Sequence, residues 1–165
     1  MKTGKIILVS TLIGCACFCL LHTPALARDT GASPNETIEN GNKKDYYPDG
    51  KLKSLIPYKK GAMNGIAKKY YPSGKLMMEI SVKNGIKNGT LKAYYESGQL
   101  KGEAFYMDGK LEGLVQEYYA DGKIKTEGTF RDGKKDGTVK IYDTNGKLRE
   151  GGIYKDGRLI KKVSP

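Results

Sequence analysis

The sequence predicts an all-β protein: an elongated single antiparallel meander of about ten strands, built from five 24-residue β-hairpin repeats. Three observations lead there. Glycine recurs at Gly50, Gly74, Gly98, Gly122 and Gly146, with a second column at Gly61, Gly85, Gly109, Gly133 and Gly157 and a third at Gly65, Gly89, Gly113 and Gly137. Tyrosine keeps the same interval at Tyr46, Tyr70, Tyr94, Tyr118 and Tyr142. Between the glycines, apolar and polar residues alternate with the period of two that marks a strand with one buried face.

Taken in order, residues 1–27 read as an export signal. Lys2 and Lys5 give a positive start, Ile6 to Leu21 an apolar run, and Ala25-Leu26-Ala27 a small-x-small cleavage site. The run is shorter than the ~20 residues a spanning helix needs. Leu12-Ile13-Gly14-Cys15 resembles a bacterial lipobox, so lipidation of Cys15 and a retained anchor stand as alternatives to cleavage after Ala27. Each alternative places the repeats outside the cytoplasm, periplasmic or secreted, or held to the envelope as a lipoprotein. Residues 28–45 are polar, rich in Gly and Asn and without apolar period, the composition of a flexible tether. The repeat domain is expected over residues 46–162.

Each repeat carries two turn signals. One is Asp49-Gly50, Ser73-Gly74, Ser97-Gly98, Asp121-Gly122 and Asn145-Gly146; the other is Lys60-Gly61, Asn84-Gly85, Asp108-Gly109, Asp132-Gly133 and Asp156-Gly157. Asn-Gly and Asp-Gly favour the positive φ of tight hairpins. The third glycine, four residues beyond the second, predicts a longer loop closing on another positive-φ residue. Segments of five to eight residues between such stops leave no room for helices. After the first turn, one face carries Leu76, Met78, Ile80 and Val82, then Leu100, Gly102, Ala104 and Tyr106, then Ile124, Thr126, Gly128 and Phe130. The opposite face carries Met77, Glu79, Ser81 and Lys83, then Lys101, Glu103 and Phe105, then Lys125, Glu127, Thr129 and Arg131.

In a meander, equivalent residues of successive repeats stack two strands apart, so Tyr70, Tyr94, Tyr118 and Tyr142 form an aromatic ladder. Such a ladder covers a thin sheet where a second layer is missing, or serves as a strip that contacts a partner. These four tyrosines are the candidate partner-binding residues. Each belongs to a Tyr-Tyr pair except the last, which is Tyr142-Asp143. Glu79, Glu103 and Glu127 form a carboxylate column; rather than a row for a cation or an acid–base pair, it is read as a solvated face flanked by Lys101, Lys125 and Arg131 on neighbouring strands.

Composition points away from catalysis. All three cysteines (Cys15, Cys17, Cys19) and the one histidine, His22, lie in residues 1–27, so a chain cleaved after Ala27 has no thiol, disulfide or His-based chemistry. No Gly-x-Ser-x-Gly, Ser-x-x-Lys or Walker-type loop occurs. The expectation is a non-enzyme with no cofactor, no metal site and no small-molecule substrate. The whole chain carries a formal charge of +11; loss of Lys2 and Lys5 leaves 27 basic against 18 acidic residues. The surplus is spread over all repeats, which keeps a sheet protein soluble and also suits anionic lipid, acidic polysaccharide or an acidic protein rather than nucleic acid.

The pattern Tyr-Tyr-x-[Asp/Ser]-Gly-Lys-Leu, seen in Tyr70-Tyr71…Gly74-Lys75-Leu76, followed by Asn84-Gly85…Asn88-Gly89, resembles the MORN repeat variant family. It is similar above all to the bacterial subset labelled antitoxin-like. The resemblance covers about residues 46–162, and the chain departs from the standard unit in lacking Trp and in its 24-residue spacing. It implies an elongated, twisted sheet of hairpins used for contacts with proteins or membranes. The expected function is therefore a non-enzymatic exported repeat protein that binds a macromolecular partner, most simply a protein, through its sheet face or edge. An antitoxin or immunity role and a basic surface-attachment module are the alternatives.

Overall fold

The computed structural model describes residues 39–164. The signal over residues 1–27, Cys15 within it and most of the tether lie outside the described residues. One sheet of twelve strands accounts for the rest. The strands are β1 (Asn40–Tyr46), β2 (Leu52–Lys59), β3 (Ala62–Met63), β4 (Gly65–Tyr70), β5 (Leu76–Lys83) and β6 (Ile86–Tyr94), then β7 (Leu100–Met107), β8 (Lys110–Tyr118), β9 (Ile124–Arg131), β10 (Lys134–Tyr142), β11 (Leu148–Lys155) and β12 (Arg158–Val163). Each pairs antiparallel with its neighbours in chain order, except that β2 pairs with both the short β3 and β4. The meander is open, with β1 and β12 at its two edges.

Two kinds of strand alternate along it. β1, β4, β6, β8, β10 and β12 belong to the kind that runs toward the tyrosine pair; β2, β5, β7, β9 and β11 are the kind that leaves it. The sheet begins and ends with the first kind. That first strand corrects the tether: residues 40–45, assigned to it on composition, pair along β2 from Asn40↔Lys59 to Asp45↔Ser54. A polar segment takes strand geometry here because β2 offers a ladder, and tertiary context outweighs local propensity.

The turns follow from their residues. Lys60, Asn84, Asp108, Asp132 and Asp156 sit at φ between 47° and 51°, each followed by a positive-φ glycine. Two successive left-handed residues make a type I′ hairpin, whose twist matches the strands it joins. Asn and Asp tolerate that conformation; Lys60 is the strained member. Each turn glycine also donates its N–H into the preceding repeat, as Gly109 does to the Lys87 carbonyl at 2.8 Å. The other turn, Tyr95-Glu96-Ser97-Gly98, closes with the Gly98 N–H on the Tyr95 carbonyl at 2.8 Å.

The third glycine is a bulge and not part of a longer loop. Val82 pairs with Lys87 and Ile80 with Leu91, so Asn88, Gly89 and Thr90 stand opposite Ser81 alone. Gly89 takes a φ of 114°, and a Cβ there would lie 2.7 Å from that of Ser81. Only glycine satisfies both demands. The bulge bends each hairpin near its tip.

The core is thin and lies on one side, called face A. Met78, Ile80, Val82, Leu91, Val115, Phe130 and Val139 are buried there, in register through Ile80↔Leu91 and Val115↔Gly128↔Val139. No second layer covers it among the described residues. Part of the cover comes from rings lying back along their own strand. Phe130 Cε2 lies 3.4 Å from where a Gly128 Cβ would be, and Tyr154 Cε2 3.0 Å from that of Gly152. An aromatic over a glycine two residues away replaces the missing side chain.

Candidate partner-binding surface

The opposite side, face B, carries the sequence-predicted residues. Alternation and register place Glu79, Glu103 and Glu127 on it, directly opposite Lys68 and Lys92, Lys92 and Gln116, and Gln116 and Lys140 respectively. The result is one continuous rung, Lys68–Glu79–Lys92–Glu103–Gln116–Glu127–Lys140, alternating in sign except where Gln116 stands between two carboxylates. The lysines facing the column are therefore these, and not Lys101, Lys125 and Arg131. Lys140 comes closest, its Nζ 3.5 Å from Glu127 Oε1.

The tyrosine ladder joins this rung. The Tyr94 hydroxyl donates to Glu79 at 3.1 Å, Tyr118 to Glu103 at 3.3 Å and Tyr142 to Glu127 at 2.7 Å. Tyr118 also reaches Gln116 Oε1 at 3.0 Å. Tyr70 has Leu55 at the equivalent position, so its repeat lacks the carboxylate. Burial holds the Tyr94, Tyr118 and Tyr142 phenols above their ordinary range, with the glutamates beside them adding to it. All four candidate tyrosines are half-buried.

The second tyrosine of each pair does something different. Tyr47, Tyr71, Tyr95 and Tyr119 donate their hydroxyls to the backbone carbonyls of Tyr70, Tyr94, Tyr118 and Tyr142, one repeat on, at 2.7 to 2.8 Å. Each is a clamp from one repeat to the next. In the fifth repeat Asp143 stands where the other repeats have the second tyrosine. Its carboxylate accepts the N–H groups of Asn145 and Lys147 at 2.9 Å and closes its own turn.

Near the clamps, on face A, Glu117 lies opposite Thr126. Burial pushes the Glu117 carboxyl up, while Lys125 and Lys101 pull it back. The Thr126 hydroxyl is buried without a hydrogen-bond partner. Asp45 and Ser54 occupy the same two positions three repeats earlier, and there the serine donates to the carboxylate at 2.7 Å.

Face B also exposes apolar side chains that sequence reasoning did not select. Ile66, Phe105, Leu114 and Ile153 pair with Ser81, Thr90, Thr129 and Thr138 and keep 51%, 44%, 52% and 39% of their surface in water. The signal was present in Phe105, a large apolar residue on the face that also carries Lys101 and Glu103 on that strand. The exposed side chains sit beside the charged rung, two residues along each strand.

The model of the MORN repeat variant matches residues 39–60, 63–84, 87–108, 111–132 and 135–160, one segment for each repeat. The chain belongs to the MORN repeat variant family. The first matched segment starts at residue 39, in agreement with β1 as part of the repeat array. Comparison with curated proteins finds no match. Among solved structures, this MORN repeat variant protein is similar to a mutant of S. aureus TarM in complex with fondaparinux, alpha-GlcNAc-glycerol and UDP, at 12% identity and a TM-score of 0.38 over 59% of this chain and 20% of that one. It is also similar to accessory secretory protein 1, 2 and 3 of Streptococcus pneumoniae, at 16% identity and a TM-score of 0.36 over 76% of this chain and 22% of that one. The chain thus spans about a fifth of the length of each.

Proposed function

We propose that this MORN repeat variant protein is an exported, non-enzymatic binding protein that engages another protein through face B of its sheet. One observation carries the reading: Ile66, Phe105, Leu114 and Ile153 stand exposed on a sheet surface whose backbone is fixed by clamps and ladders. Apolar side chains held proud of a rigid, polar-rimmed surface are what a protein partner buries. The charged rung beside them supplies register, since carboxylates and ammoniums in alternation match only one arrangement of opposite charges. The half-buried phenols of Tyr94, Tyr118 and Tyr142 hold the glutamates of that rung in place. Export rests on the composition of residues 1–27, and the absence of catalysis on the lack of any motif that would support it. An antitoxin would be one form of the same activity, with a toxin as the partner.

The test is site-specific photo-crosslinking in the native envelope fraction, with the probe at position 105 or 114. A single protein trapped at both positions, and lost when the other position is changed to Ser in a chain with unaltered circular dichroism, supports the reading. Crosslinks to lipid or polysaccharide alone, with binding that vanishes between low and physiological salt, replace it with charge-driven surface attachment. A mature chain that starts after residue 27 and fractionates outside the cytoplasm supports export, and an uncleaved cytoplasmic chain overturns it.

A further inference from the structure

The two edges of the sheet are finished differently. β1 is polar over Asn40, Gly41, Asn42, Lys43, Lys44 and Asp45, with only Tyr46 as an exposed apolar side chain. That is how the end of a repeat array is kept soluble. β12 is not finished that way. Leu159 is 45% exposed and Ile160 65%, the largest exposed fraction among the bulky apolar residues described. Around them lie Arg158, Lys161 and Lys162, with no acid between Arg158 and Val163.

The geometry of β12 departs from its repeat in the same place. The third-glycine column would put glycine at position 161, where Lys161 stands. In β10 the corresponding bulge sets Asp136, Gly137 and Thr138 opposite Thr129. In β12 it shrinks to Ile160, between the pairs Tyr154↔Leu159 and Ile153↔Lys161. The last strand is therefore straighter than its equivalents, and among the described residues no strand pairs with its outer side.

We infer that β12 is a docking edge for an acidic, extended segment of a partner protein, added to the sheet as its next strand. Unpaired N–H and C=O groups supply the ladder, and the side chains supply the selection. Leu159 and Lys162 lie on face A, opposite Tyr154 and Gly152; Arg158 and Lys161 lie on face B, opposite Lys155 and Ile153. A segment that fits carries carboxylates on both of its faces and a branched apolar residue beside Leu159 and Ile160. A second copy of this chain fits poorly: two β12 edges bring six cations together, and β1 adds Lys43 and Lys44. The inference does not rest on the face B reading.

The experiment uses the full chain and a fluorescent octapeptide that repeats Glu-Glu-Val-Val, which as a strand carries carboxylates on both faces. Controls are the same peptide with a central Pro and a version with Lys for Glu. Anisotropy at physiological salt should show binding of the first peptide only, with amide protection gained in residues 158–163. The double variant Lys161→Glu, Lys162→Glu should weaken it by about tenfold or more, while Phe105→Ser, Leu114→Ser leaves it unchanged. Equal binding of the Pro-interrupted peptide would show charge attraction without strand addition and overturn the inference. So would absence of binding, or insensitivity to the double charge reversal. Displacement of the peptide by anionic phospholipid vesicles, with vesicle binding lost in the same double variant, would make the edge a lipid contact and overturn it too.

Discussion

The hydroxyl of Tyr95 donates to the backbone carbonyl of Tyr118 at 2.7 Å, crossing from one repeat to the next. The pair adds to the strand ladder and to the Tyr118–Glu103 hydrogen bond that also join these two units. Tyr95→Phe removes the hydrogen bond and keeps the ring, so it should lower stability by about 1 kcal/mol. Tyr71→Phe and Tyr119→Phe should cost the same, and the three should add, because the clamps share no partner. Urea midpoints of the single and triple variants check this. A loss in Tyr95→Phe well under that of Tyr94→Phe would mean that the rung tyrosines, not the clamps, carry repeat cohesion.

Gly89 and Gly113 occupy the same bulge position in successive repeats but in different surroundings. A Cβ on Gly89 meets Ser81 at 2.7 Å, whereas nothing lies within 4 Å of one on Gly113. Both have positive φ, 114° and 77°. Gly113→Ala should therefore cost only the left-handed penalty of ~1–2 kcal/mol. Gly89→Ala adds a steric clash and should cost more. Thermal midpoints of the two variants, compared directly, decide it.

Gln116 interrupts an otherwise alternating rung between Glu103 and Glu127. Gln116→Lys supplies the missing cation and should raise stability by ~0.3–1 kcal/mol at low salt, since opposite charges directly across strands stabilise a sheet by that order. Screening should shrink the gain at high salt. A gain independent of salt would assign it to packing.

Glu117 gives a pH dependence whose sign follows from its surroundings. Burial raises its carboxyl in the folded chain, so the protonated form is the one the fold favours. Its contribution is present in acid below the ordinary Glu range and is lost as the pH rises through the raised value. Glu117→Gln imitates the protonated form. The variant should be more stable than the parent near neutral pH and equal to it in mild acid, as denaturant titrations at the two conditions will show.

Tyr94, Tyr118 and Tyr142 set the alkaline limit in the same way. Their phenols are raised by burial and by glutamates. The neutral phenols thus contribute stability that is intact below about pH 10 and is lost as the pH climbs through their raised values. Spectrophotometric titration should show phenols ionising later than free tyrosine, with unfolding following their ionisation.

Much of this architecture was legible because a 24-residue period repeats both turn chemistry and face. The alternation that put Met78, Ile80 and Val82 on one side and Glu79 on the other is the alternation the sheet has. The neighbours of Glu79 were not legible, because register across a strand pair depends on bulges, and the shift between Ile80 and Val82 moves every partner beyond it. The same limit hid the division of labour within the tyrosine pairs. Tyr94 and Tyr95 look alike in sequence, but the shift between Ala93 and Tyr94 sends one hydroxyl back to Glu79 and the other forward to the Tyr118 carbonyl. The strand over residues 40–46 was hidden for another reason: its ladder comes from β2, and its own residues carry no sign of it.

Because the sheet opens and closes with the same kind of strand, its ends do not match as plug and socket. A whole unit copied into the middle, after Tyr118 for instance, would lengthen the ribbon by two strands, ~9.6 Å, and leave both termini as they are. Joining two molecules end to end would instead set like strand against like and break the alternation. Surface can thus be added to this sheet two strands at a time without altering the edge strands β1 and β12.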